Sequence, residues 1–285
     1  MLRDEPFERA ARGGIEAVRK RALADEPQAI RLLDGSGGRH EGHGEQHERE
    51  AGGDTRRAAL HAPSVARLWY GSSVRLCVFD LDHTLVSSPL DLAAMALEMR
   101  AYIEGCQGPL PARDERYRVG ELVRWCRDHA PDISRPIWDI ALDHERRAVA
   151  SAWLEPGARE ALDGARAAGF STVLWTNNAR EVTQVALDRF ALADALDLVV
   201  TRDDMAEMKP SADGWRVIAA RFAGVRDAIV VGDSWVDGLA AAAAGVPFVA
   251  YRPREAELTR WKITPIARID DLTALPTWLR AWAGQ

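Results

Sequence analysis

Five apolar runs of strand length, at residues 75–79, 171–175, 196–201, 228–231 and 248–251, alternate with stretches of helical periodicity. Residues 157–168 carry Ala161, Ala165 and Ala168 and stop at Gly169; residues 181–192 carry Val182, Val185, Ala186 and Phe190. Residues 212–223 carry Trp215, Ile218, Ala219 and Phe222 before Gly224, and residues 235–244 stop at Gly245. Glycine just past a periodic segment is a helix-stop signal, because it adopts the left-handed conformation there without strain. Strand alternating with helix predicts βαβ units: an α/β fold of three layers, with helices on both faces of a parallel sheet. Ligands of such sheets bind beyond the carboxyl ends of the strands. Asp80, Thr176 and Asp233 each lie just past the end of an apolar run, so topology alone gathers them on one rim.

The stretch from Ser87 to Ala152 breaks the alternation and reads as three helices, over residues 90–106, 113–129 and 137–151. Leu92, Met95, Met99 and Ile103 give the first an apolar face; Leu122, Trp125 and Cys126 mark the second; Ile137, Ile140, Ala141 and His144 mark the third. Pro109, Pro111, Pro131 and Pro136 punctuate them. The division predicted is an N-terminal extension (1–70), a core (71–86 and 153–285) and a helical insertion (87–152). In the extension, Phe7, Ala11, Ile15 and Val18 are interrupted by Gly13-Gly14, and residues 35–55 carry no apolar periodicity, so a disordered or linker segment is expected. His40, His43 and His47 read better as part of a solvated tail than as a metal site.

Composition excludes several classes. Of the 285 residues, 47% are hydrophobic and 28% charged, ordinary for a globular protein with a real core. The longest apolar runs, such as residues 239–244, are far too short for a bilayer, and no apolar run follows the first five residues, so neither a membrane span nor a secretory signal is expected. Cys77, Cys106 and Cys126 have no metal-type spacing and cannot all pair, which suits a reducing cytoplasmic setting. A net charge of −6 gives no bulk attraction to nucleic acid. Only Lys20, Lys209 and Lys262 are lysines among 37 basic residues, which makes a lysine directly before Pro210 more telling.

The first strand ends Phe79-Asp80-Leu81-Asp82-His83-Thr84, and side chains two apart on a strand share a side. Two carboxylates that close call for a cation or a shared proton. Thr176-Asn177-Asn178, Lys209-Pro210 and Gly232-Asp233-Ser234-Trp235-Val236-Asp237 then follow in chain order. Each has an ordinary reading: Asn-Asn before Glu181 is a good helix start, and Ser234 to Asp237 forms a capping box. Taken together, the four signatures resemble the haloacid dehalogenase superfamily, in particular its aspartate-nucleophile phosphatases. Residues 155–162 resemble the family's stretch that returns from cap to core, and residues 203–210 and 240–247 look like the subgroup containing phosphoglycolate phosphatases and related small-metabolite phosphatases.

The resemblance implies a Rossmann-like core with an inserted helical cap, and a Mg²⁺-dependent hydrolysis of a small phosphorylated metabolite. It assigns Asp80 as nucleophile, Asp82 as general acid–base and Lys209 as the charge that neutralises nucleophile and phosphoryl group. It places Thr176, with Asn177 beside it, on the phosphoryl oxygens, and Asp80, the Asp82 carbonyl and Asp233 on the metal, with Thr84 and Asp237 in support. Trp175 and Trp235 are bulkier than the subgroup leads one to expect and read as packing around the site. A sugar phosphomutase would use the same residues, and a phospho-ligand-binding protein with vestigial turnover is the non-enzymatic alternative. Arg100, Arg116, Arg118, Arg124 and Arg127 of the insertion are candidates to recognise the rest of a substrate. The oligomeric state is not legible.

Overall fold

A computed structural model describes residues 74–283, so the N-terminal extension and its histidines lie outside the described residues. The chain enters at β1 (Val74–Phe79) and passes through a two-residue strand, β2 (Val86–Ser87), into three helices. These are α1 (Leu92–Gln107), α2 (Val119–His129) and α3 (Ser134–Ala150). Strand β3 (Trp153–Leu154) pairs antiparallel with β2 and returns the chain to α4 (Ala158–Ala167) and β4 (Ser171–Trp175). Then follow α5 (Arg180–Arg189), β5 (Leu198–Val200), α6 (Asp213–Arg221), β6 (Val225–Gly232) and α7 (Trp235–Ala244). The last elements are β7 (Phe248–Tyr251), α8 (Glu255–Arg260), β8 (Ala267–Ile269) and α9 (Leu275–Trp282).

Six strands pair in the order β5-β4-β1-β6-β7-β8, every pairing parallel. Because both faces are covered, β1 is apolar at every position from Leu76 to Phe79, and alternate residues serve opposite layers. Cys77 and Phe79 pack with Ala161 and Leu162 of α4, Ala186 and Leu187 of α5, and Leu279 of α9. Leu76 and Val78 pack with Ile218 of α6, Ala240 and Ala241 of α7, and Leu258 of α8. The insertion buries a core of its own, built from Met95, Met99, Ile103, Leu122, Cys126, Ile137 and Ile140. Among the described residues, no helix is long and apolar enough to cross a membrane.

The second insertion helix begins at Val119, not at 113. Residues 113–118 instead wrap around one guanidinium: Arg113 donates to the carbonyls of Glu115 at 2.8 Å and Arg116 at 2.6 Å and lies 3.9 Å over the Tyr117 ring. The Tyr117 hydroxyl donates to Pro111 O at 2.8 Å, so the loop is held by side chains rather than by a helical ladder. Helix α3 begins earlier than 137, at Ser134, with Pro136 in its first turn, where the missing N–H costs nothing. Strand β6 runs longer and β5 shorter than their apolar runs, and β2, β3, β8, α8 and α9 were not anticipated.

Candidate active site

The central strand delivers Asp80 one residue beyond its last core position, and its N–H continues the ladder to Val231 O at 2.9 Å. Thr176 does the same at the end of β4, donating to Val200 O at 2.9 Å. Lys209 arrives from the loop before α6, and its ammonium uses three donors on three acceptors. These are Asp80 Oδ1 at 2.5 Å, Asp237 Oδ1 at 2.6 Å and the Trp175 carbonyl at 2.8 Å. All three charged groups are buried. Asp237 also closes the capping box of α7, accepting from Ser234 Oγ at 2.6 Å and Ser234 N at 3.2 Å. It therefore joins helix start and ammonium in one carboxylate. Gly232 makes room for it, because a Cβ there would lie 2.6 Å from the Asp237 carboxyl.

The two asparagines face different partners. Asn177 brackets the main chain of Lys209, accepting its N–H at 2.8 Å and donating to its carbonyl at 3.0 Å. Asn178 is buried and donates to Asp82 Oδ2 at 2.7 Å. Neither caps α5, contrary to the helix-start reading: Ala179 stands at the N-cap, and the freed N–H groups of Ala179 and Arg180 go to Glu145 and Asp203. The Asn177 amide, expected beside the phosphoryl oxygens, is taken up by Lys209. Thr176 is fully buried, and its hydroxyl oxygen accepts the Asn178 N–H at 3.1 Å. Thr84 is fully buried, and its Oγ1 has no hydrogen-bond partner among the described residues.

Carboxylates dominate the electrostatics. Burial, then Asp237, push Asp80 up to about 7 against the opposing pull of Lys209, with Asp82 adding to the rise. Asp233 is pushed up to about 8 by burial and by Asp237, Asp80 and Asp82. Burial also raises Asp82, while His83 and the Asn178 hydrogen bond oppose it. Burial would lower the Lys209 ammonium, but Asp237 and Asp80 outweigh it and raise it. One ammonium does not neutralise this cluster, and ligand oxygens of Asp80, Asp233 and Asp237 lie within 4.8 Å of one another. An oxygen-only donor set with surplus negative charge fits Mg²⁺. Both Asp237 oxygens are engaged, Oδ1 by Lys209 and Oδ2 by Ser234, whereas Lys209 takes only Oδ1 of Asp80, so Asp80 and Asp233 are the carboxylates left to face a cation.

The family model for haloacid dehalogenase-like hydrolases matches residues 74–245, a span that contains all these groups. The chain belongs to the haloacid dehalogenase-like hydrolase family. A phosphoglycolate phosphatase from Pseudomonas putida is 31% identical over 230 residues, covering 73% of this chain and 81% of that protein. One from Caulobacter vibrioides is 34% identical over 187 residues, 60% of this chain and 76% of that protein. The crystal structure of a hydrolase from Pseudomonas syringae shares the fold, with a TM-score of 0.54 at 20% identity over 73% of this chain and 98% of that one.

In this haloacid dehalogenase-like hydrolase the rim opens into a cleft of about 1450 Å³ between sheet and insertion. Of the five insertion arginines that line it, Arg100 pairs with Glu104 at 2.9 Å and Arg127 with Glu207 of the core at 3.0 Å. Arg118 lies 5.3 Å from the Trp235 ring and 5.1 Å from Trp261, which stack on each other at 4.2 Å. Arg116 and Arg124 are exposed. Trp175 is buried against Gly214 of α6 and donates to Met205 Sδ at 3.1 Å, a packing residue. Sequence reasoning missed Glu145 and Arg202, a buried ion pair joining α3 to the turn after β5, with Arg202 also 4.8 Å over Trp138. No periodicity marks such a pair; a Glu on an otherwise apolar helix face was its one sign.

Proposed function

We propose that the protein is a Mg²⁺-dependent phosphatase that hydrolyses a small phosphate monoester through an aspartyl-phosphate on Asp80. The observation that carries this reading is the division of labour between two neighbouring carboxylates. Asp80 is bonded to the buried ammonium of Lys209, whereas Asp82 accepts from the neutral amide of Asn178. A binding protein has no use for the second carboxylate; an acyl-phosphate mechanism needs it twice.

In that mechanism Asp80 forms a bond to phosphorus while the ester P–O bond breaks, and the leaving oxygen takes its proton from Asp82. Asp82, now a carboxylate, removes a proton from the water that hydrolyses the aspartyl-phosphate. Lys209 offsets charge on Asp80 and on the transferring group throughout, fixed by Asn177, Asp237 and the Trp175 carbonyl. Mg²⁺, on Asp80, Asp233 and the Asp82 carbonyl, would supply charge neutralisation of the phosphoryl oxygens. The cleft and its arginines suit a small anionic metabolite, and the relatives' name makes 2-phosphoglycolate the first compound to try.

Phosphate release across a panel of phosphorylated metabolites, with and without Mg²⁺, tests the reading, with Asp80→Asn as control. Metal-dependent release that Asp80→Asn abolishes is the expected result. Transfer of phosphate from a sugar bisphosphate without net release would replace hydrolysis by mutase chemistry.

A further inference from the structure

We infer that Asn178 is a positioning residue for Asp82: its amide fixes which oxygen of that carboxyl group carries the proton given to the leaving group. The inference rests on the phosphatase reading above. Asn178 Nδ2 donates to Asp82 Oδ2 at 2.7 Å, the one side-chain hydrogen bond that Asp82 accepts among the described residues. An N–H donor keeps Oδ2 as an acceptor in both protonation states, so the transferable proton sits on Oδ1. An amide does this without bringing a charge of its own, which a lysine or arginine in its place would add.

Asn178 can serve as a reference point because its own backbone is held from several directions. Its N–H donates to the buried Thr176 hydroxyl oxygen at 3.1 Å, and its carbonyl accepts from Arg202 N at 3.1 Å. The next N–H, of Ala179, goes to Glu145 Oε2 at 3.3 Å, and Glu145 is ion-paired with Arg202. Glu145 belongs to α3 of the insertion, so the peptide bearing Asn178 is pinned where insertion and sheet meet. The hydrogen-bonded chain runs from the insertion, through Glu145 and Arg202, to Asn178 and then to the acid.

The chemical step shows what a loose Asp82 would lose. As the Asp80–phosphorus bond forms, the P–O electron pair moves onto the leaving oxygen, which must take up the Asp82 proton if it is an alkoxide. A nitrophenolate leaves stably without a proton. Misplacing the acid therefore slows alkyl esters far more than nitrophenyl esters, whereas weakened folding or metal binding slows both alike.

The experiment measures kcat/KM, which reports the first chemical step, for p-nitrophenyl phosphate and for the best alkyl phosphate. It uses the full chain with Mg²⁺, comparing wild type, Asn178→Ala, the isosteric Asn178→Asp, and Asp82→Asn. The alkyl ester should lose about 10²-fold in the Asn178 variants, at the lower end of what a general acid supplies, and at least about tenfold more than the nitrophenyl ester. Asp82→Asn should show the same split, enlarged. Equal losses on both esters, or a rise confined to KM, in both Asn178 variants would overturn the inference while leaving the mechanism standing. No split in Asp82→Asn would overturn the acid–base assignment and this inference with it. Should one Asn178 variant fail to fold, by circular dichroism and melting, the other decides.

Discussion

The two walls of the cleft are built on opposite principles. On the sheet side, Asp80, Lys209 and Asp237 are buried in one cluster, with the ammonium donating to both carboxylates. On the insertion side, Arg116 and Arg124 are exposed and Arg100 and Arg127 pair with exposed or half-exposed acids. Buried ion pairs are costly to break because each partner is left desolvated, while exposed pairs contribute about 0–1 kcal/mol. One wall is thus rigid and intolerant of change, the other adjustable. A hydrolase built this way holds its chemistry constant and varies what it admits.

The largest expected effects come from the rigid wall. Asp80→Asn should lower kcat by at least about 10³-fold, roughly 4 kcal/mol of barrier, with the fold intact by circular dichroism. Activity within tenfold of wild type would dissolve the contrast, since the buried wall would then not be doing the chemistry. Lys209→Met should cost activity on a similar scale and also destabilise by about 3–5 kcal/mol, because Asp80 and Asp237 lose their shared cation. Chemical denaturation would check this.

Next comes the dependence on pH and metal. With Asp80 raised to about 7 and Asp233 to about 8, the folded state holds more protons than the unfolded chain, whose Asp titrates near 3.9. The contribution of these two groups to stability without metal therefore falls as pH rises from about 4 to 8. Melting in chelator should show that fall, and Mg²⁺ should flatten it, with the larger gain at the higher pH. Asp233→Asn should shrink the fall and demand more Mg²⁺ for activity. Smaller effects are expected from the adjustable wall. Arg118→Ala and Arg127→Ala should change KM severalfold and reorder substrates, with stability altered by less than about 1 kcal/mol. Smallest of all, deletion of residues 1–66 should leave melting temperature and turnover nearly unchanged.

The same contrast explains what the sequence made legible. Strands 171–175 and 248–251 could be read because both faces are buried, so every residue but Ser171 reports the same environment. Asp80, Thr176 and Asp233 could be placed because a parallel sheet puts strand ends on one rim. What escaped was set by side-chain hydrogen bonds, which have no period. Arg113 holds 113–118 out of helix through two carbonyls, although the residues themselves permit one. Asn177 and Asn178 are chemically identical neighbours, yet one holds Lys209 and the other Asp82. Helices α8 and α9 and strand β8 are short, and β2 and β3 are two residues each, below the length at which a pattern repeats.

Strands β2 and β3 meet through Val86 with Leu154 and Ser87 with Trp153, so the insertion leaves and re-enters the core at one place. A segment with adjoining ends can be exchanged or resized as a block, because the register of the six core strands does not depend on what lies between residues 88 and 152. For descent, this means that new substrates can be acquired by grafting at a single seam, provided the graft keeps a carboxylate where Glu145 meets Arg202 and the Ala179 N–H.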